Sequence, residues 1–186
     1  LKRFVSAAIE VAPKATGRPV AEVGAGNIVI GSFQFATVLA LTLISALLLT
    51  VLRSVGDALL VLLPIAMAAS LTVATTVLLN MPFNFANVIV LPLLLGFGVD
   101  SGVHLVARMR DEHSVDQVMD SSTPRAIGLS ALTTIASFGS LSLSPHYGTA
   151  SMGILLTLSM LYTVACAVIV LPAVIDWRDT SKRRRL

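Results

Sequence analysis

Long runs of apolar residues, separated by short polar links, dominate the chain. A helix needs about 20 apolar residues to cross the hydrocarbon core of a bilayer. Five windows approach that length, at residues 33–52, 58–79, 86–107, 126–144 and 149–175. The pattern predicts an all-α, polytopic membrane bundle of about five transmembrane helices over residues 31–176.

The segment before the first window has a different pattern. Apolar side chains recur there at helical spacing, at Phe4, Ala7, Ala8 and Val11. Residues 16–19 then indicate a turn, and residues 19–23 are typical of a short strand. Residues 1–30 are therefore interpreted as a short α+β remnant of a soluble domain, too small to fold alone. Because the chain begins with Leu1 and not Met, we expect it to be a fragment with more of that domain upstream.

Composition strengthens the membrane interpretation. Of the 186 residues, 55% are hydrophobic and 12% are charged, whereas soluble domains are roughly 45–50% apolar. A net charge of +3 does not indicate a nucleic-acid partner here, because basic residues cluster in one run at 182–185 after the last apolar window. Residues 177–186 are interpreted as a basic cytoplasmic tail that faces anionic lipid.

The links between the windows predict an orientation. Arginines occur in the first and third links, at Arg53, Arg108, Arg110 and Arg125. The second and fourth links, residues 80–85 and 145–148, contain no Lys or Arg. Because basic loops stay inside, the C-terminus is predicted to be cytoplasmic and the segment before residue 33 to be outside. For the third link, residues 109–123, an interfacial helix and an irregular loop both remain open.

Asp100 is the one Asp, Glu, Lys or Arg within these five windows. A carboxylate at the centre of a membrane helix costs about 2.5–3.5 kcal/mol on insertion scales. Such a residue is favoured to be functional, and we interpret Asp100 as a proton-coupling site. The alternative is a carboxylate that reaches water at the inner end of its helix, since the basic Arg108 is close by.

Two further features could complete a proton path. His104 lies one turn beyond Asp100 on the same helix face, and histidine titrates near neutral pH, so the two could relay a proton inward; a wetted interface residue is the alternative. The fourth window carries a hydroxyl stripe, made of Ser130, Thr133, Thr134, Ser137, Ser140 and Ser144. These hydroxyls either face Asp100 or bond carbonyls of their own helix.

Small residues flank the carboxylate, at Gly96, Gly98 and Gly102. Gly98 and Gly102 have the four-residue spacing that lets helix backbones approach closely. We expect this helix-packing face to bring a neighbouring helix against Asp100. Cys166, within the last window, is interpreted as a packing residue.

Two enzyme classes are disfavoured by the inventory of the windows. An intramembrane aspartyl protease needs two carboxylates that share a proton, and a metal site needs at least three converging ligands. The windows supply one carboxylate, Asp100, and besides it only His104 and the packing residue Cys166 in another window. We therefore expect a transporter and not an enzyme, with no metal and no cofactor apart from protons as the coupling ion.

Three segments resemble one family. Residues 91–104, LPLLLGFGVDSGVH, resemble the carboxylate-bearing span of the resistance-nodulation-division (RND) superfamily, especially its MMPL-type lipid-transporter branch. Residues 131–141, ALTTIASFGSL, are similar to that family's next span, and residues 171–173, LPA, to its closing one. Ser101 stands where many members of the lipid-transporter branch have Tyr.

The resemblance implies a transporter of two pseudo-equivalent halves, each with a leading span, a periplasmic domain and five further spans. This chain resembles the spans after the second periplasmic domain, so the N-terminal half would be its partner. By residue match, Asp100 takes the proton-carrier position and Thr133 or Thr134 the neighbouring hydroxyl position.

The function implied is proton-driven export of lipid or hydrophobic molecules from a bacterial inner membrane, with hopanoid-like lipid as the narrower expectation. Membrane lipids are expected neighbours, and a homo-oligomer is compatible. The alternatives are a protein-export accessory subunit of the same superfamily and a lipid-sensing membrane domain that does not transport.

Overall fold

The computed structural model describes residues 2–84, 86–111 and 115–183. Within those ranges the chain forms α-helices joined by short links, and no strand occurs. The helices are α1 (Lys2–Val11), α2 (Arg18–Leu52), α3 (Val55–Leu78), α4 (Val90–Asp111), α5 (Val115–Asp120), α6 (Ser122–Leu141), α7 (Tyr147–Ala165) and α8 (Leu171–Arg183). A 3-10 turn, Asn87–Ile89, leads into α4, and a π-helical segment, Cys166–Val170, joins α7 to α8.

The predicted N-terminal strand is wrong, and with it the α+β character of residues 1–30. Residues 19–23 lie in the first turns of α2, which has no break at residue 30. Gly17 precedes the helix with φ 137°, and Pro19 follows in the first turn, where a missing N–H costs no intrahelical bond. The residues that indicated a turn therefore start a helix. At 35 residues, α2 is roughly 52 Å long and exceeds the ~30 Å hydrocarbon core.

The predicted count of five spans is not supported. By length and composition, four described helical stretches could cross a membrane: Arg18–Leu52, Val55–Leu78, Asn87–Arg110 and Tyr147–Trp177. The fourth predicted span, 126–144, is occupied by α6, whose many Ser, Thr and Gly residues leave it less apolar than these. Even so, the contact between α6 and α7 is the most extensive helix–helix contact among the described residues.

The last span continues without a break into the predicted tail. The π-helical segment Cys166–Val170 is followed directly by α8, which remains helical to Arg183. Pro172 explains the π-helical turn, because its ring clashes with the carbonyl four residues earlier and it has no N–H to donate. A wider turn relieves that clash.

The centre of the bundle is the contact of α4 with α3 and α7, at two glycines. A β-carbon added at Gly98 would lie 2.7 Å from Cγ1 of Ile65 on α3 and 3.2 Å from Cγ2 of Thr163 on α7. One added at Gly102 would lie 2.8 Å from Cγ1 of Val61. Only a residue without a side chain fits at this distance, so the glycines set how closely α4 approaches its neighbours.

Asparagine side chains hold the N-terminal end of α4. Asn87 is fully buried; its Oδ1 accepts from the Asn84 N–H at 2.7 Å, and its Nδ2 donates to the Pro82 carbonyl at 3.3 Å. The side chain of Asn84 donates to Oγ of Ser151 on α7 at 3.0 Å. These hydrogen bonds join residues of the link before α4 to one another and join the link to α7.

Arg110 holds the C-terminal end of α4. Its Nε donates to Oδ2 of Asp57, in the first turn of α3, at 3.1 Å. Its Nη2 donates to the same carboxylate and to the carbonyl of Leu52, the last residue of α2. Ser54 caps α3 by accepting from the Asp57 N–H at 3.3 Å. One guanidinium thus joins the ends of three helices.

We predict that Gly98→Ala lowers the thermal stability of the protein in detergent, because the new methyl group overlaps Ile65. Overpacking of this kind costs about 1–3 kcal/mol. The control is Gly31→Ala in α2, where an added β-carbon meets no atom within 4 Å and the melting temperature should stay level or rise. Equal melting temperatures for Gly98→Ala and the native protein would contradict the close contact.

We also predict that Asn87→Ala destabilises the protein, because it leaves the Asn84 N–H and the Pro82 carbonyl without this partner. An unsatisfied buried polar group costs about 1–3 kcal/mol. Thermal unfolding followed by circular dichroism should show the loss, while Asn27→Ala, at an exposed position of α2, should leave the transition in place. If the unfolding temperature is unchanged in both variants, the hydrogen bonds of Asn87 do not contribute to thermal stability.

Candidate functional site

Asp100 and His104 form a pair on α4. His104 Nε2 lies 3.5 Å from Asp100 Oδ1, one helical turn away. At this distance the two groups form an ion pair when the imidazole is protonated, and a small side-chain movement brings them into hydrogen-bond distance. The arrangement brings a carboxylate and an imidazole together on one helix face. Asp100 also lies near the middle of the candidate span Asn87–Arg110.

The pair faces away from the neighbouring helices α3 and α7. The side chains of Asp100 and His104 are 75% and 69% exposed in this chain, whereas the adjacent Ser101 is buried. Gly98, which contacts α3 and α7, is about 200° around the helix from Asp100 at 3.6 residues per turn. The expectation that the glycine face presses a helix onto the carboxylate is therefore wrong.

Gly96 lies on the same side as the carboxylate. A β-carbon added there would meet no atom within 4 Å among the described residues. Of the three glycines assigned to helix packing, Gly98 and Gly102 make close contacts and Gly96 does not. Gly96, Asp100 and His104 recur every four residues and form one strip, which we call the open face of α4.

The hydroxyls of α6 do not turn toward Asp100 in this structure. Oγ1 of Thr133 and Oγ1 of Thr134 both donate to the Ser130 carbonyl, at 2.8 and 2.9 Å. Ser137 and Ser140 likewise donate to carbonyls of their own helix. Of the two alternatives left open for the stripe, these hydroxyls therefore follow the one in which they bond carbonyls of their own helix. These hydroxyls can still accept hydrogen bonds, and most of the stripe is exposed.

The helix that carries the stripe nevertheless contacts α4. Phe97 and Phe138 meet edge to face with ring centroids 6.0 Å apart, which joins α4 to α6. Phe97 precedes Asp100 by three residues, so this contact is on a face of α4 next to the strip that carries the carboxylate. Among the described residues, no three His, Cys, Asp or Glu side chains come together as a metal site.

Sequence reasoning did not select the residues that hold α4 at its ends. Ser54 followed by Asp57 is a helix-start signature, and this pattern could have pointed to a charged partner for Arg110. Asn84, Asn87 and Ser151 gave no comparable signal, because their contacts depend on the path of the link between α3 and α4.

The geometry defines a multi-pass helical membrane protein with a carboxylate–imidazole pair within one span. Residues 7–184 match the MMPL family, so the chain belongs to that family. The match confirms the resemblance drawn from residues 91–104, 131–141 and 171–173.

Two relatives are similar over nearly the whole chain. The chain is 43% identical over 173 residues to the hopanoid transporter HpnN of Rhodopseudomonas palustris (strain TIE-1), covering 93% of this chain and 20% of that protein. It is 38% identical over 172 residues to the hopanoid transporter HpnN of Burkholderia multivorans (strain ATCC 17616 / 249), covering 92% and 19%. The chain spans about a fifth of the length of these relatives.

Proposed function

We propose that this chain is the C-terminal membrane part of a proton-driven lipid exporter in a bacterial inner membrane, with a hopanoid-like lipid as substrate. Family membership and the two relatives named as hopanoid transporters support the substrate class. The Asp100–His104 pair supports proton coupling. The proposal is a secondary transporter and not an enzyme.

The observation that carries the proposal is a carboxylate in mid-span on an uncovered face. Lipid is a poor surrounding for Asp100, because a carboxylate there costs about 2.5–3.5 kcal/mol on insertion scales. Charged residues in spans face a bundle interior or an aqueous cavity. We infer that the rest of the transporter, absent from this chain of about one fifth of its relatives' length, packs against the open face of α4.

The proposed cycle begins with protonation of Asp100 from the outer side. Protonation removes its charge and the associated desolvation penalty, so the packing partner on the open face can shift. The proton then passes to His104 and leaves toward the cytoplasm. One elementary charge moved through 100 mV supplies about 2.3 kcal/mol, which biases a two-state bundle roughly fifty-fold.

The proposed topology has α6 crossing the membrane beside α7, because the two helices pack along each other. With basic links inside, the chain enters from the periplasmic side at α2 and ends in the cytoplasm after α8. Thr133 and Thr134 remain candidate relay hydroxyls, since rotation about χ1 would free them from the Ser130 carbonyl.

We predict that Asp100→Asn in the full-length transporter abolishes proton-driven lipid export, because the amide cannot bind and release a proton. Export would be measured as lipid transfer from proteoliposomes with an imposed pH gradient. The matched control is Asp176→Asn, the same change at an exposed position of α8. Export by Asp100→Asn at the native rate would refute proton coupling at this residue.

The same assay separates transport from the alternative of lipid sensing. A sensor would bind hopanoid with equal affinity in the presence and absence of the pH gradient and would move none of it. A protein-export subunit would not move lipid under either condition.

We predict that His104→Gln slows export about a hundredfold or more while leaving some activity, since loss of a positioned acid–base group typically costs 10²–10⁴-fold. Initial rates of lipid export from proteoliposomes with an imposed pH gradient test this, with His146→Gln in the outer link as the control. Export by His104→Gln at the native rate would remove His104 from the proposed proton path.

A further inference from the structure

A groove runs along the surface of α3 on the side away from the candidate relay. Its volume is about 550 Å³, and it is lined by apolar residues of α3 between Gly56 and Ala66 and by Val174 of α8. Leu59 and Leu63 on its wall are exposed. All of its lining belongs to two candidate membrane spans.

The groove lies at one end of the bundle and within one leaflet. α3 begins at Val55, and the span that contains Val174 ends at Trp177, so both helices reach the membrane surface at this end. Arg53 precedes α3 here, which marks the inner side. From Gly56 to Ala66 the helix rises about 15 Å, which is half of the ~30 Å hydrocarbon core.

The helix α3 separates the groove from α4. Val61 and Ile65 contact the glycines of α4, whereas Leu59 and Leu63 lie on the opposite side of α3. Asp100 in turn faces away from α3. The groove and the open face of α4 are therefore on opposite sides of the bundle. A protein partner that covers the carboxylate does not by itself cover the groove.

An arginine and a tryptophan lie close in sequence to the lining residues at the inner end of the groove, Arg53 three residues before Gly56 and Trp177 three residues after Val174. Arg53 is exposed, and its backbone is fixed in the left-handed region, φ 49°, with its N–H bonded to the Leu49 carbonyl. Trp177 is 72% exposed and lies three residues beyond Val174, on a neighbouring position of the same helix face. Tryptophan favours the membrane interface, and arginine near the inner surface attracts anionic lipid.

We propose that this groove binds an acyl chain of an anionic phospholipid of the inner leaflet, with Arg53 beside its phosphate and Trp177 at the interface. The inference rests on the proposed function in one respect, namely that the rest of the transporter packs on the open face of α4 and not here. The site is distinct from the proton path, so an occupant would stabilise the contact of α3 with α8 without entering the relay.

The test uses the full-length transporter in nanodiscs that contain equal amounts of phosphatidylglycerol and phosphatidylcholine. After release into detergent, native mass spectrometry counts the lipid that stays bound to each variant. The native protein should retain phosphatidylglycerol. Ala66→Trp, which fills the groove, should lose it. Leu43→Trp, an equal enlargement at an exposed position of α2, should retain it.

A second variant tests the head group and does not fill the groove. Arg53→Gln should reduce the preference for phosphatidylglycerol over phosphatidylcholine about fivefold, the effect of one basic residue at the membrane surface. The proposal is overturned if Ala66→Trp retains as much phosphatidylglycerol as the native protein, if Leu43→Trp loses as much as Ala66→Trp, or if Arg53→Gln keeps the full preference.

The outcome is separable from that of the proposed function. Asp100→Asn should retain phosphatidylglycerol as the native protein does, because the groove is on the other side of α3. Retained lipid with no proton-driven export in the native protein would overturn the proposed function alone. If the native protein exports lipid normally but shows no preference for phosphatidylglycerol, the proposal of a lipid site in the groove is overturned and the proposed function is not.

Discussion

The rotation of α4 about its own axis determines what the bundle can do, and two glycines fix that rotation. Gly98 and Gly102 allow α4 to lie against Ile65, Val61 and Thr163 at distances that exclude a side chain. Because the contact is specific to one helix face, the residue two positions after Gly98 must point away from it. The packing of an apolar core thus decides where the one mid-span carboxylate is presented.

The position of α4 along its axis is fixed separately, at its two ends. Asn87 connects the residues of the link before α4 through a buried amide, and Arg110 connects the C-terminal end of α4 to α2 and α3. Between these anchors, the contacts of Gly98 and Gly102 with α3 are apolar. A change in the charge of Asp100 would therefore act on a helix that is held at both ends and packed by shape in the middle.

Sequence reasoning identified the features that depend on local pattern. Apolar windows gave the helices, and the four-residue spacing of Asp100 and His104 gave their shared face, because both follow from helix geometry alone. The strand at 19–23 was wrong because Gly17 and Pro19 suit a turn and a helix start equally well. The long apolar run that follows decides between them, since a helix once started extends at little cost.

Features that depend on which helix lies beside which could not be predicted in this way. Glycine spacing indicated a contact face on α4, but the sequence does not say which helix fills it, and Gly96 was assigned to a contact that it does not make. The hydroxyls of α6 show the same limit. Their spacing is compatible with both a partner on α4 and a bond to their own carbonyls, and spacing alone does not fix the side-chain rotamer that selects between the two.

The open face also favours a further polar surface packed against Asp100. Asp100 and His104 are exposed in this chain, and among the described residues His104 is the ion-pair partner of the carboxylate. A carboxylate that is to exchange protons within a membrane needs surroundings that tolerate both its charged and its neutral form. Lipid tolerates only the neutral form, and water favours the charged one. A second polar surface packed on this face would provide the intermediate environment, and relatives about five times as long as this chain have the additional sequence to provide it.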